Sequence, residues 1–118
     1  MNDAAPFKPM ITRAELDRVD IRVGTIRSVE DVPTSKKLAR LTVDFGGRSI
    51  RVLAGIRGER ANPQELAGRQ ALFVVNLEPR PMAGEVSEGM LFDIGYADGI
   101  TPVLAVPETP VPDGARAG

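Results

Sequence analysis

Basic side chains carry most of the chemistry open to this 118-residue sequence, which has 15 Lys and Arg, 16 Asp and Glu, and neither His nor Cys. Thirteen bases (Arg13, Arg18, Arg22, Arg27, Lys36, Lys37, Arg40, Arg48, Arg51, Arg57, Arg60, Arg69 and Arg80) lie between residues 13 and 80 against nine acids, a local balance of plus four. Residues 81 to 118 hold Arg116 and six acids, a balance of minus five. This asymmetry permits a basic face on a nearly neutral chain, the footprint of a polyanionic partner. With no imidazole or thiolate, zinc-finger, catalytic zinc–His, haem–His and Cys–His nucleophile sites are excluded. Asp20 and Asp44 have the chemistry of a general acid and base pair. No nucleophile or metal-ligand cluster accompanies them, so they read as structural strand-end carboxylates. Patterns for dinucleotide and P-loop binding are missing too. The chain therefore reads as non-catalytic, with no cofactor and no metal.

Elements that position these charges follow from the pattern of apolar residues. Thr12 and Glu15 form a capping box, so a short helix runs from there to about Val19 with Leu16 and Val19 as its apolar stripe. Ile21 to Val29 alternates at Ile21 and Val23 and then changes phase at Ile26, which places a bulge at Gly24. Leu38 to Phe45 alternates more cleanly, and Gly46-Gly47 turns it into Arg48 to Ala54. Asn62-Pro63-Gln64-Glu65-Leu66-Ala67-Gly68 has an N-cap, a first-turn proline and a terminal glycine, the signature of a compact helix. A strand from Gln70 to Leu77 is apolar on both faces, so something covers its outside. Further strands fit Gly89 to Ile94 and Ile100 to Val106, before Pro107, Pro110 and Pro112 forbid regular pairing.

That order predicts an all-β fold, a five-stranded OB-fold Greek-key barrel with a short helix between strands 3 and 4, an N-terminal helix and a C-terminal extension. Residues 1–11 are expected to be a flexible segment, 12–114 the domain with its extension, and 115–118 a tail. At this length roughly two thirds of the unfolded surface can be buried without disulfides. Apolar runs fall far short of the roughly 20 residues that cross a bilayer, and the N-terminus lacks a signal-peptide pattern, so a cytoplasmic location without membrane contact is expected.

Four segments resemble the tRNA-binding domain family: Asp20-Ile21-Arg22-Val23-Gly24-Thr25-Ile26, Lys37 to Asp44, Ala54-Gly55-Ile56, and Asn76 to Met90. The last, with its N-L-x-P-R and G-x-x-S-E-G-M, is the most specific. This family supplies the OB-fold module at the C-terminus of bacterial methionyl-tRNA synthetase, synthetase cofactors, and stand-alone homodimers that include CsaA-type export chaperones. The resemblance spans residues 15 to 114 and implies a stand-alone, non-catalytic, homodimeric protein that grips tRNA by shape. The C-terminal extension and N-terminal helix would make the dimer.

Lys36, Lys37, Arg51, Asn76, Arg80, Ser87 and Met90 are the implied nucleic-acid contacts. Lys37 matches a family lysine, Lys36 stands where relatives often carry an acid, and Arg51 lies on the strand where an OB-fold presents its binding face. For Asn76 a loop-holding role competes with ligand contact, for Ser87 a turn cap, and for Met90 core packing. Gly84 and Gly89 read as turn glycines. Acids at Glu85, Glu88, Asp93 and Asp98, Pro81 in place of a frequent Lys, and few aromatics imply modest, salt-sensitive affinity without single-strand preference. A second implied activity is chaperoning of unfolded or precursor polypeptides, on the proline-punctuated end from Val106 to Gly114.

Overall fold

The computed structural model describes residues 4–118. Its helix α1 (Arg13–Leu16) starts on the expected capping box, with Thr12 Oγ1 accepting from the Glu15 N–H at 3.1 Å and Glu15 Oε1 accepting from the Thr12 N–H at 3.0 Å. The α-helical part ends at Leu16, and bonds from Arg18 N–H to Glu15 C=O and from Val19 N–H to Leu16 C=O carry the turn on to Val19, with Leu16 and Val19 half exposed.

Strands β1 (Ile21–Asp31), β2 (Ala39–Asp44), β3 (Ser49–Ala54), β4 (Gln70–Val74) and β7 (Met90–Leu91) form one antiparallel sheet in the order β3-β2-β1-β4-β7. Two hairpins stand outside it: β5 (Arg80–Met82) with β6 (Glu85–Ser87), and β8 (Asp93–Ile94) with β9 (Val103–Leu104). The long β1 is shared. Its first half pairs with β4, from Ile21 opposite Val74 to Thr25 opposite Gln70. Its second half pairs with β2, from Thr25 opposite Asp44 to Asp31 opposite Ala39. Where β2 ends, the C-terminal residues continue along β1: Gly114 N–H donates to Val23 C=O at 2.7 Å, Val23 N–H to Ala115 C=O at 2.9 Å, and Ala117 N–H to Ile21 C=O at 2.8 Å.

The sheet curls into a nearly closed barrel. Its far edge, β3, is sealed by the segment entering β7: Glu88 N–H donates to Arg51 C=O at 2.8 Å, Arg51 N–H donates to Glu88 Oε1 at 2.9 Å, and Leu53 N–H donates to Ser87 Oγ at 3.0 Å. Side-chain acceptors thus replace a missing ladder, and no bare strand edge is left there. Inside, Ile26, Leu41, Val43, Val52, Ala71 and Phe73 are fully buried. Phe45 meets Phe73 edge-on with ring centres 5.6 Å apart.

Several local expectations change. The bulge falls between Ile26 and Ser28, leaving Arg27 as the extra residue, and not at Gly24. Gly24 meets a different need: a Cβ there would lie 2.6 Å from Val43 Cγ1 and 2.7 Å from Phe45 Cε1. The segment after Asn62 is one 3-10 turn, Pro63–Leu66, not a compact helix, and the Asn62 side chain caps nothing. Leu66 is its one buried residue, too little apolar surface to extend the turn, and backbone bonds of Ile26 with Gly68 and Arg69 hold its exit.

β4 stops at Val74, because Asn76 is drawn away to the end of α1. The expected strand over 89–94 is broken into β7 and β8, and that over 100–106 shrinks to β9. Along β4 the same chain supplies further backbone partners. Leu72 N–H donates to Ala105 C=O and Leu72 C=O accepts from Phe92 N–H, while Val74 shares a groove with Ile11, Val19 and Leu77.

Replacing Gly24 with alanine should cost about 1–3 kcal/mol through overpacking against Val43 and Phe45. A urea midpoint unchanged from wild type would show that those two side chains yield freely.

Candidate nucleic-acid interface

Four of the seven nominated residues, Lys36, Lys37, Arg51 and Arg80, stand on the loop between β1 and β2, the outer face of β3 and the β5–β6 hairpin, while Met90 lies on β7 opposite Val74. Lys36 and Lys37 are exposed in the β1–β2 loop. The loop is short of regular structure, so its backbone is held by side chains. Ser35 Oγ accepts from the N–H groups of Lys37 at 3.2 Å and Leu38 at 3.0 Å. The Arg57 guanidinium donates to the carbonyls of Ser35, Val32 and Leu38 and pairs with Asp31 at 3.2 Å, while its own N–H donates to Lys37 C=O. Thr34 Oγ1 donates to Ala83 C=O at 2.9 Å, which brings the two lysines beside the hairpin tip.

That tip is a two-residue turn, Ala83-Gly84, with φ of +50° and +81°. Left-handed geometry at both positions suits a tight hairpin, and glycine is the residue that adopts it without strain. Three-residue strands containing Pro81 carry almost no period-2 signal, and no strand is expected from the sequence between Leu77 and Gly89. Arg40, on the outer face of β2, clamps it down through two 2.6 Å bonds, Nε to Glu85 Oε1 and NH2 to Glu85 Oε2. Arg40 also reaches Glu30 at 3.4 Å. Hydrogen bonding from Arg40 is the main reason the Glu85 carboxyl is held below its usual range, with the Arg40 and Arg51 charges adding to it. One of the acids that would repel a polyanion is thereby neutralised locally.

Arg51 is exposed on β3 opposite Thr42, and its backbone carries the closing bonds to Glu88. Arg80 is exposed and pairs across the hairpin with Ser87. Met90, 47% exposed, opens β7. Lys36, Lys37, Arg51 and Arg80 make no ion pair among the described residues, whereas Arg40 and Arg57 are occupied in holding the loops. The roles of Arg40 and Arg57 were not found in the sequence. Their partners are 45 and 26 residues away, and only a folded barrel brings them together.

Two nominated residues face inward or elsewhere. Ser87 is 4% exposed, its hydroxyl accepting from Leu53 N–H and donating to Gly89 C=O at 2.9 Å, so it braces the barrel seam. Asn76 sits at the α1 end, apart from the lysines. Its Oδ1 accepts from Asp20 N–H at 2.9 Å and its Nδ2 donates to Arg18 C=O at 2.6 Å, which ties the helix exit to the end of β4. Asp20 and Asp44 are both engaged structurally, Asp20 with Arg22 and Asp44 with Arg27 and the Gly46 N–H.

Residues 21–116 match the model of a family described as "Putative tRNA binding domain". Over 88 residues the chain is 43% identical to a methionine–tRNA ligase of Chlorobium luteolum; the match takes in 75% of this chain and 12% of the ligase. The chain thus spans about an eighth of the length of the curated relatives it matches. Among solved structures, the MetRS related protein from Pyrococcus horikoshii superposes with a TM-score of 0.85 at 33% identity, covering 94% of this chain and all of that one. Chaperone CsaA from Bacillus anthracis gives 0.80 at 31% identity, covering 93% and 100%.

Because Glu85 titrates lower in the folded state than in an unfolded chain, its contribution is complete above the ordinary glutamate value of 4.5 and is lost as pH falls through the lower folded value. Thermal midpoints should therefore separate wild type from Glu85→Gln at pH 7 and converge as pH approaches 3. A gap that persists undiminished at pH 3 would contradict the clamp.

Proposed function

The chain belongs to the tRNA-binding domain family, and on that premise we propose that it is a non-catalytic, structure-specific tRNA-binding protein that acts as a homodimer in the cytoplasm. The observation that carries this reading is the set of unpaired bases, Lys36, Lys37, Arg51 and Arg80, displayed around one end of the barrel by loops that Arg40 and Arg57 hold rigid. An OB-fold offers its strand 2–3 face and the two loops flanking it to nucleic acid, which is where these residues stand. Lys and Arg there neutralise phosphates of a folded RNA, and a rigid frame favours shape over sequence. Met90 adds an exposed apolar contact for a sugar or base. Ser87 acts by fixing the seam and Asn76 by fixing α1.

The homodimer is supported by exposed apolar side chains on two flanks, Phe7, Met10, Ile11 and Leu16 near α1, and Ile94, Tyr96, Ile100 and Val103 around β8 and β9. Such patches on a small chain mark association surfaces. A second reading, binding of unfolded or precursor polypeptides, is favoured by the likeness to CsaA and by the apolar groove of about 490 Å³ lined by Ile11, Val19, Val74 and Leu77.

The test is a titration against total tRNA and a single-stranded RNA of equal length at two salt concentrations, with light scattering to read the oligomer. The tRNA-binding reading expects a preference for tRNA that weakens with salt. In Lys37→Ala plus Arg51→Ala, affinity should fall and the slope of log K against log salt should shrink by about 1.5–2. No binding at low salt, or salt-independent binding, overturns it; capture of an unfolded polypeptide instead would promote the second reading.

A further inference from the structure

Four arginines line one open cavity of about 1150 Å³ between α1, the start of β1 and the C-terminal segment, and two aspartates share it. Arg13 is answered by Asp17 at 3.1 Å. Arg22 is answered by Asp20, through Nε at 2.9 Å and NH2 at 3.1 Å. Arg18 and Arg116, both exposed, have no acid partner among the described residues. With the terminal carboxylate of Gly118, which also lines the cavity, four positive charges face three negative ones.

Arg22 and Arg116 also stand directly opposite one another across an antiparallel bridge. Opposed residues project to the same side of the pair, so Arg116, with no acid partner of its own, starts from the same side as Arg22, whose charge Asp20 already answers. Three backbone bonds between residues 21–23 and 114–117 fix that juxtaposition. The site lies at the opposite end of β1 from Lys36 and Lys37, so it is not an extension of the surface around β3.

Planar guanidinium forks match tetrahedral oxyanions and bind them in pairs of charge-assisted hydrogen bonds. We propose that this cavity is a second, phosphate-binding site in which Arg18, Arg22 and Arg116 hold one phosphate group. Arg22 keeps its Nε and NH2 on Asp20 and offers NH1, while Arg18 and Arg116 bring their whole forks. The phosphate has two sources of the same chemistry, a backbone phosphate of bound RNA or a small free phosphate compound. The site itself does not depend on the tRNA-binding reading.

The test uses the full chain, ¹⁵N-labelled, titrated with inorganic pyrophosphate at low ionic strength, beside Arg18→Ser plus Arg116→Ser. Saturable amide shifts are expected at residues 18–22 and 114–117, with binding roughly tenfold weaker in the double variant and an unchanged thermal midpoint. Shifts absent from those residues, spread equally over all exposed bases, or unaltered in the variant would overturn the proposal. A tRNA arm separates the sources. Several-fold weaker tRNA binding by the variant assigns the phosphate to RNA, and unchanged tRNA binding with lost pyrophosphate binding assigns it to a free compound. Should wild type bind pyrophosphate here and no tRNA at all, the tRNA reading fails and this site stands.

Discussion

One strand has to satisfy three partners, and the rest of the molecule is arranged around that requirement. β1 gives its first half to β4, its second half to β2, and the edge left beyond β2 to residues 114–117. A flat strand cannot serve partners that wrap a barrel. The extra residue at Arg27 and the bare backbone of Gly24, with Val43 and Phe45 against it, give β1 its curl. The C-terminal strap is then pinned by side chains: Asp113 Oδ1 accepts from Thr25 Oγ1 at 2.6 Å and from Gln70 Nε2 at 3.0 Å, and Asp113 also reaches Arg27 at 3.5 Å.

Closing that barrel decides which charges are left for a partner. Ser87 and Glu88 complete the β3 edge, Glu85 is taken by Arg40, and Asp31 by Arg57. Each of these groups is polar and would look functional in isolation, yet each is committed to backbone or to a neighbour. Lys36, Lys37 and Arg80 remain outward around the β1–β2 loop and the hairpin, beside the exposed acids Glu78 and Glu88. Of the acids in the last third, Glu85 lies under an arginine and Glu88 caps a strand edge.

The barrel was legible because period-2 alternation in Leu41, Val43, Ile50 and Val52, and the Gly46-Gly47 turn, depend only on neighbours in sequence. Both turn glycines do take positive φ, +82° and +92°. The capping box at Thr12 and Glu15 was legible for the same reason. Features set by contacts far apart in the chain were not. Gly24 looked like a bulge because its true constraint, the side chains of Val43 and Phe45, comes from another strand. Asn62 carried every local mark of an N-cap, but a four-residue turn with one buried leucine forms no helix for it to cap. The exposed lysines of the candidate face could be nominated from the sequence; the arginines that support them, and the inward turn of Ser87, needed the fold.

On the proposed reading, RNA meets the end of the barrel formed by the β1–β2 loop, β3 and the β5–β6 hairpin. The most direct measurement is a map of backbone amide shifts as ¹⁵N-labelled protein is titrated with tRNA at moderate salt. The largest changes are expected at residues 33–38, 49–53 and 79–90, with β8–β9 little altered. Changes concentrated on α1, β8 and β9 with residues 33–38 and 79–90 unmoved would contradict that reading.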